Sequence, residues 1–121
     1  MMRATSLFLI VAVLAVLSMN AASSQDEKAS EPPPEFTDEF LNDAEQQAAG
    51  QQIWQQQCRH CHGYSAYPGK APKLKPRRYK PDFVYDRVTN GFRKMPPWKA
   101  VYSQQERMSI VAYVLSKKFS P

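Results

Sequence analysis

The stretch Cys58-Arg59-His60-Cys61-His62 decides how this chain is interpreted. It places two thiols one helical turn apart and a histidine directly after the second thiol. The spacing C-x-x-C also occurs in redox dithiols and as half of a zinc site. A zinc site needs two further ligands, and the two histidines of the chain lie too close to the cysteines to complete a tetrahedron easily. A redox dithiol of the thioredoxin type is expected in a βαβ context, which the sequence lacks.

The complete pattern C-x-x-C-H is the attachment signature of a c-type haem. Thiols at this spacing can each add to one of the two vinyl groups of a single porphyrin. His62, next in the chain, then lies beneath the iron as its proximal ligand. The sequence therefore predicts one haem c, covalently bound through thioethers to Cys58 and Cys61. His60, inside the motif, is expected to point away from the iron into solvent.

A second axial ligand is needed, unless that position of the iron is open. A thioether suits low-spin haem iron and raises its reduction potential relative to a second histidine. Beyond the N-terminal segment the chain has two methionines, Met95 and Met108. Met108 falls inside a predicted helix, where a core role is the better interpretation. Met95 precedes the stiff Pro96-Pro97 pair and is predicted as the distal ligand, with a gap-filling core residue as the alternative.

Helical patterns and breakers predict an all-α domain with about three helices and long loops. The first helix begins near Asn42, a good N-cap, and carries the C-x-x-C-H motif. A short second helix opens at Pro81 and stops at Asn90-Gly91. The last helix begins at Ser103, which is spaced to form a capping box with Glu106. No stretch has the pattern of a convincing strand.

The first residues have the order of a secretory signal peptide. A positive n-region at Arg3 precedes an apolar run from Leu7 to Leu17, and the small residues at 21–23 offer a cleavage site. The run is about half of the ~20 residues that a spanning helix needs, so an uncleaved membrane anchor is the weaker alternative. We predict a signal peptide at 1–22, an acidic proline-containing linker at 23–41, and a haem-binding domain at 42–121. The mature protein is expected in the periplasm or an equivalent exported compartment, without stable membrane insertion.

The net charge of +5 conceals a division along the chain. Acidic residues dominate from 26 to 45, whereas from Cys58 onward only Asp82, Asp86 and Glu106 are acidic. A basic domain of this kind is expected to meet partners with acidic docking faces. A nucleic-acid partner is not expected, because the export signal places the protein elsewhere.

At these motifs the chain resembles the class I cytochrome c family, in particular its short bacterial monohaem members. The resemblance extends roughly from Asp43 to Ser116. In that family a glycine and an aromatic residue of the first helix pack against an aromatic residue of the last helix. Gly50, Trp54 and Tyr113 look like that set, which implies that the first and last helices cross at these positions.

Two further segments carry the resemblance. Ala71-Pro72-Lys73-Leu74 is similar to the family's G-P-x-L segment, with alanine in place of glycine. In the family the proline carbonyl accepts a hydrogen bond from the ligand histidine, which implies that role for Pro72. Met95-Pro96-Pro97-Trp98 looks like the family's segment around the distal methionine, which implies Met95 as an iron ligand.

These expectations favour a monomeric carrier of one electron between redox partner proteins, and not an enzyme. Iron with both axial positions filled by protein does not readily bind a substrate, and no constellation of a general base and a nucleophile is present. Two alternatives stay open. The chain is an electron-accepting cytochrome subunit of a dehydrogenase complex, or it is a gas-binding or peroxidase protein with an open iron site.

Overall fold

A computed structural model describes residues 30–66 and 69–120 of the protein. A compact unit begins at Glu31. The predicted signal peptide, residues 1–22, lies outside the described residues. Within the described ranges, no helix has the length and apolar character needed to cross a bilayer.

The described residues form helices joined by loops, as the all-α prediction requires. Between residues 30 and 120, apart from the gap at 67–68, the only β-type pairing is an isolated bridge between Phe92 and Met95. In chain order the elements are α1 (Asp38–Asn42), α2 (Ala44–Ile53), a π-helical turn (Trp54–Cys58), α3 (Arg59–His62), a 3₁₀ turn (Pro76–Arg78), α4 (Pro81–Asn90) and α5 (Gln104–Val114).

Two of the predicted helix boundaries are confirmed. Helix α4 opens with Pro81 and ends at Gly91, whose φ of +72° belongs to the region that favours glycine. Helix α5 begins with the predicted capping box. Glu106 accepts a hydrogen bond from the Ser103 N–H at 2.8 Å, and the Ser103 hydroxyl accepts one from the Glu106 N–H at 3.3 Å.

The predicted cap of the first long helix is wrong by one residue. Asp43, and not Asn42, caps α2, because its carboxylate accepts hydrogen bonds from the N–H groups of Glu45 and Gln46 at 2.8 and 2.9 Å. Asn42 ends α1 instead, and its side-chain amide donates to the carbonyl of Asp38. Adjacent residues that are both good caps cannot be ordered from propensity alone.

Helices α2 and α5 touch through their backbones. A Cβ atom added to Gly50 would lie 1.9 Å from the Ser109 carbonyl oxygen and 2.9 Å from the Cβ of Tyr113. One turn later, Trp54 meets Tyr113 edge to face with ring centroids 6.2 Å apart, and Phe119 at 4.7 Å. The crossing of the first and last helices that the resemblance implied is therefore confirmed, with Phe119 as an additional member.

The structure places residues 31–41, predicted as the end of a linker, against the folded unit. Phe36 packs edge to face on Tyr85 with ring centroids 5.8 Å apart, and also contacts Phe40. Nearer the start of the segment, the carbonyl of Pro32 accepts a hydrogen bond from the Gln104 side chain at 2.6 Å. The prolines and carboxylates of this segment suggested a linker, but its two phenylalanines fix it to the core.

A buried arginine holds the start of this segment. Arg107 of α5 is fully buried, and its guanidinium donates to both carboxylate oxygens of Glu31. The same group donates to the Thr89 hydroxyl at 2.8 Å and to the Tyr102 carbonyl at 3.1 Å. The Glu31–Arg107 pair, called the clamp below, thereby joins the N-terminal segment to α4 and α5.

Candidate haem site

The motif forms the C-terminal continuation of α2. A π-helical turn ends at Cys58, and the four residues of α3 carry the rest of the motif to Gly63, whose φ of +75° stops the helix. Cys58 is half-buried and packs against the hydrophobic core, whereas Cys61 is exposed. Both thiols are free. A single π turn is a local widening that is frequent at functional sites.

The surroundings of the motif disfavour both a redox dithiol and a zinc site. Burial, together with the neighbouring Cys61, raises the pKa of the Cys58 thiol to about 11. Reactive redox cysteines are instead thiolates with lowered pKa values. In addition, no group of three or more His, Cys, Asp or Glu side chains in the described ranges could hold a metal ion on its own.

The surroundings of His62 favour a neutral imidazole, and one of its ring nitrogens has no hydrogen-bond partner. Its ring lies 5.6 Å from that of Trp54, centroid to centroid. Burial lowers the pKa of His62, which favours the neutral form that ligates iron. Its Nδ1 atom is buried and has no hydrogen-bond partner. A buried polar atom without a partner is unusual in a protein and fits a residue whose surroundings include a bound group.

The backbone of the loop after the motif folds back and contacts the motif. The Ala71 N–H donates to the Cys61 carbonyl at 2.8 Å. A Cβ atom added to Gly69 would lie 2.6 Å from the same carbonyl oxygen, so this close approach needs a glycine. Pro72 is exposed, and the implied hydrogen bond from the His62 ring to its carbonyl is not formed. The role of Pro72 stays a prediction.

Met95 lies in a tight, hydrogen-bonded turn. Its N–H and carbonyl pair with those of Phe92, each at 3.0 Å. Gly91 lies beneath the turn, where an added Cβ atom would come within 2.5 Å of the Met95 carbonyl oxygen. Met95 itself is half-buried against the core. Met108 is buried within that core, which agrees with its predicted role.

Aromatic side chains link the Met95 segment to the motif. The backbone N–H of Trp98 donates to the carbonyl of Val88 at 3.0 Å, and the Trp98 ring packs on Tyr102 with ring centroids 5.8 Å apart. Burial, with Cys58 and Glu106 as further causes, raises the pKa of Tyr102. The core therefore carries a rim of half-buried hydrophobic residues that includes Cys58, Leu74, Tyr79, Met95, Trp98 and Tyr102.

This donor set fits a haem. Cys58 and Met95 border the hydrophobic core, Cys61 lies exposed one helical turn after Cys58, and His62 packs on the buried Trp54. Each is the residue type that its predicted role requires. His60 is exposed and its Nε2 lies 3.1 Å from the Gln56 carbonyl oxygen, so it is directed away from the core, as predicted.

Three contributions to the site were not predicted from the sequence. These are the π-helical turn before Cys58, the close contact of Gly69 with the motif and the close contact of Gly91 with the Met95 turn. The sequence pattern predicted Gly91 only as a helix stop and assigned no contact to Gly69. Their positions could have indicated these contacts, because Gly69 lies in the loop after the motif and Gly91 lies four residues before a candidate ligand.

Comparisons with protein families, with curated proteins and with solved structures agree. Residues 45–114 match the family model described as cytochrome c oxidase, cbb3-type, subunit III. Over 76 residues the chain is 34% identical to the cytochrome c subunit of 4-cresol dehydrogenase (hydroxylating) from Pseudomonas putida; the match covers 63% of this chain and 66% of that relative. The structure is similar to the c-type cytochrome NirC, with a TM-score of 0.52 and 27% identity, over 65% of this chain and 99% of that one.

The family match extends over more than half of the chain and includes the motif, Met95 and the crossing of α2 with α5. The fold, the donor set and the relatives all agree. This chain belongs to the c-type cytochromes of class I: it is a haem-binding protein that transfers electrons.

Proposed function

We propose that the protein is an exported monohaem cytochrome that carries one electron at a time between redox proteins. The observation that supports this most is the C-x-x-C-H helix at the end of α2, with Met95 held against the same hydrophobic core. Cys58 and Cys61 hold the haem, His62 is the proximal ligand and Met95 the distal ligand.

Each residue has a defined task in this proposal. The haem supplies an iron centre that gains and loses one electron. Cys58 and Cys61 would hold the haem through thioether bonds, each formed by addition of an S–H group to a vinyl group, which needs no oxidant or reductant. His62 provides a neutral ring nitrogen, and Pro72 offers a carbonyl that can orient the ring. Met95 fills the remaining position, so the chain carries electrons and catalyses no reaction itself.

The covalent haem is tested by mass. The mature protein, denatured to release bound molecules, is expected to be heavier than its polypeptide by the mass of one haem. Replacement of Cys58 and Cys61 together by serine should remove this increment, because no thioether can form. A bare polypeptide mass for the unmodified chain, from cells competent in cytochrome maturation, would refute covalent attachment.

Export is part of the proposal. Its basis is the order of charge, apolar run and small residues in the first 23 positions. The same mass measurement reports the start of the mature chain, which we expect near Ala21 to Ser23. A chain that starts at Met1 and fractionates with membranes would instead support an anchored protein.

Basic side chains near the motif and Met95 are proposed to attract acidic partners. Exposed lysines and arginines crowd the loop after the motif and flank Met95, including Lys70, Lys75, Arg77, Arg78, Lys80, Arg93, Lys94 and Lys99. Long-range attraction raises association rates without a tight complex, which suits a carrier that must also dissociate.

The rate of electron exchange with the native partner is therefore expected to fall about tenfold as salt rises, because steering raises association rates by roughly 10–1000-fold and is screened. Reversing the charges of Lys70, Lys75 and Arg78 to glutamate should slow the reaction and flatten its salt dependence. Reversing Lys117 and Lys118, exposed beyond α5, serves as the matched control. A rate indifferent to salt in all three proteins would show that docking is mainly apolar.

A second candidate function has one observation in its favour. The relative from Pseudomonas putida is the cytochrome c subunit of a dehydrogenase, and this chain can serve a dehydrogenase in the same permanent manner. Purification from native cells distinguishes the two. A carrier elutes as a monomer, whereas a subunit elutes with its dehydrogenase at constant stoichiometry.

A further inference from the structure

Five side chains on the surface form a continuous row, called the ladder below: Tyr79, Phe83, Arg87, Phe92 and Arg93. The rings of Tyr79 and Phe83 lie 5.3 Å apart, centroid to centroid. The Arg87 guanidinium carbon lies 4.9 Å from the centre of the Phe83 ring and 4.3 Å from that of Phe92. Arg93 closes the row at 5.2 Å from the Phe92 ring.

The ladder exposes apolar surface to solvent. Phe83 is 44% exposed and Phe92 is 49% exposed. In the described part of the chain only two other large hydrophobic residues, Tyr64 and Val101, are as open to solvent. Two aromatic rings that share one cation at the surface are a patch rather than scattered residues, and such patches mark interaction sites.

The ladder is also held in place before any partner arrives. The Tyr79 hydroxyl accepts a hydrogen bond from the Lys75 N–H at 2.9 Å. Phe92 is fixed by its two backbone hydrogen bonds to Met95, across a turn in which Arg93 has a φ of +53°. A non-glycine residue in that region is uncommon and shows that the turn is strongly determined. A preformed backbone lowers the entropy cost of binding, and aromatic and arginine residues dominate the energetic centres of interfaces.

Charge indicates what kind of partner fits. Asp86 lies 3.1 Å from the Arg87 guanidinium and also accepts from the Asn90 amide. Asp82 is the other carboxylate of α4. Over residues 77–94, the stretch of chain that carries the ladder, the other exposed charged residues are all basic: Arg77, Arg78, Lys80, Arg93 and Lys94. The complementary surface is therefore a protein face with an apolar centre and a border of carboxylates.

We propose that the ladder is the contact on which a redox partner protein with such an apolar, carboxylate-bordered face docks. The proposal rests on the proposed function, since it assigns the partner's landing site. Phe92 is paired directly with Met95, so a partner seated on the ladder touches the turn that holds the proposed distal ligand. The basic loop attracts the partner from a distance, and the ladder determines where it binds.

The test replaces the apolar part of the ladder and leaves its charges intact. The gene in the native host is exchanged for the double variant Phe83→Ser/Phe92→Ser, and the rate of cytochrome reduction in intact cells is followed by absorbance. Val101→Ser is the matched control, because Val101 is 60% exposed and lies outside the ladder. We expect the double variant to be slower by about tenfold, as truncation of central aromatic residues typically weakens an interface at least this much. Val101→Ser should match the unmodified protein.

Two further measurements separate docking from other causes. Purified double variant should keep its optical spectrum and its reaction with ascorbate, which needs no protein interface. A photoreactive residue at position 83 should form an adduct with a redox protein, and one at position 101 should not. Equal rates in the unmodified, double-variant and Val101→Ser strains would overturn the proposal. Equal slowing by the two variants would also overturn it. A photo-adduct formed with a second copy of this chain would overturn it as well. If the unmodified protein contains no haem that ascorbate can reduce, the proposed function itself is refuted.

Discussion

Replacing Gly50 with alanine is expected to destabilise the domain by about 3 kcal/mol or more, at the upper end for an overpacked core. The added Cβ atom would lie 1.9 Å from the carbonyl oxygen of Ser109 and 2.5 Å from its carbon. Both atoms belong to the backbone, so no rotamer change can relieve the overlap. Helices α2 and α5 must separate, and the contacts of Trp54 with Tyr113 and Phe119 are lost with them.

Urea unfolding of the haem-loaded protein measures this change through the shift of the midpoint. Ala48→Ser, on an exposed position of the same helix, is the control and should change stability by less than about 0.5 kcal/mol. If Gly50→Ala and Ala48→Ser unfold at the same urea concentration, the two helices do not approach as closely as described.

Replacing Met95 with alanine is expected to lower the reduction potential by on the order of 0.1 V or more, because the axial ligands set haem potentials over a range of about 0.8 V. The same change should open the iron to carbon monoxide, which a sulfur ligand excludes. Potentiometric titration and the spectrum of the reduced protein under carbon monoxide measure the two effects.

Met108→Leu is the matched control for this experiment. Met108 is buried in the core and leucine preserves its volume, so the potential and the carbon monoxide response should stay unchanged. If Met108→Leu changes both and Met95→Ala changes neither, the ligand assignment is reversed. Carbon monoxide binding by the unmodified protein would favour the gas-binding alternative.

The parts of the fold that can be predicted from the sequence depend on short, local patterns of residues. The capping box at Ser103 and Glu106 needs four residues, and the stop at Gly91 needs a helix pattern and one glycine. The C-x-x-C-H motif is equally local. Its position at the end of a helix therefore followed from the sequence.

The parts that were not predicted depend on contacts between distant residues. The Glu31–Arg107 clamp joins positions 76 residues apart, and nothing near either residue indicates the other. The same holds for Phe36 on Tyr85, which turns an apparent linker into part of the domain. The contact of Gly91 with Met95 needs the path of the turn, which propensities do not give.

The clamp sets a limit on how far proteases can trim this protein. A cut before Glu31 leaves the carboxylate on Arg107, whereas a cut after it leaves a guanidinium that is shielded from water and has lost its counter-ion. Such an orphaned charge costs about 3 kcal/mol or more, a large fraction of the stability of a small domain. Cleavage upstream of residue 31 therefore leaves the clamp intact, whereas cleavage downstream of it breaks the clamp. A shortened form that starts at α1 is expected to be cleared by the cell rather than to accumulate.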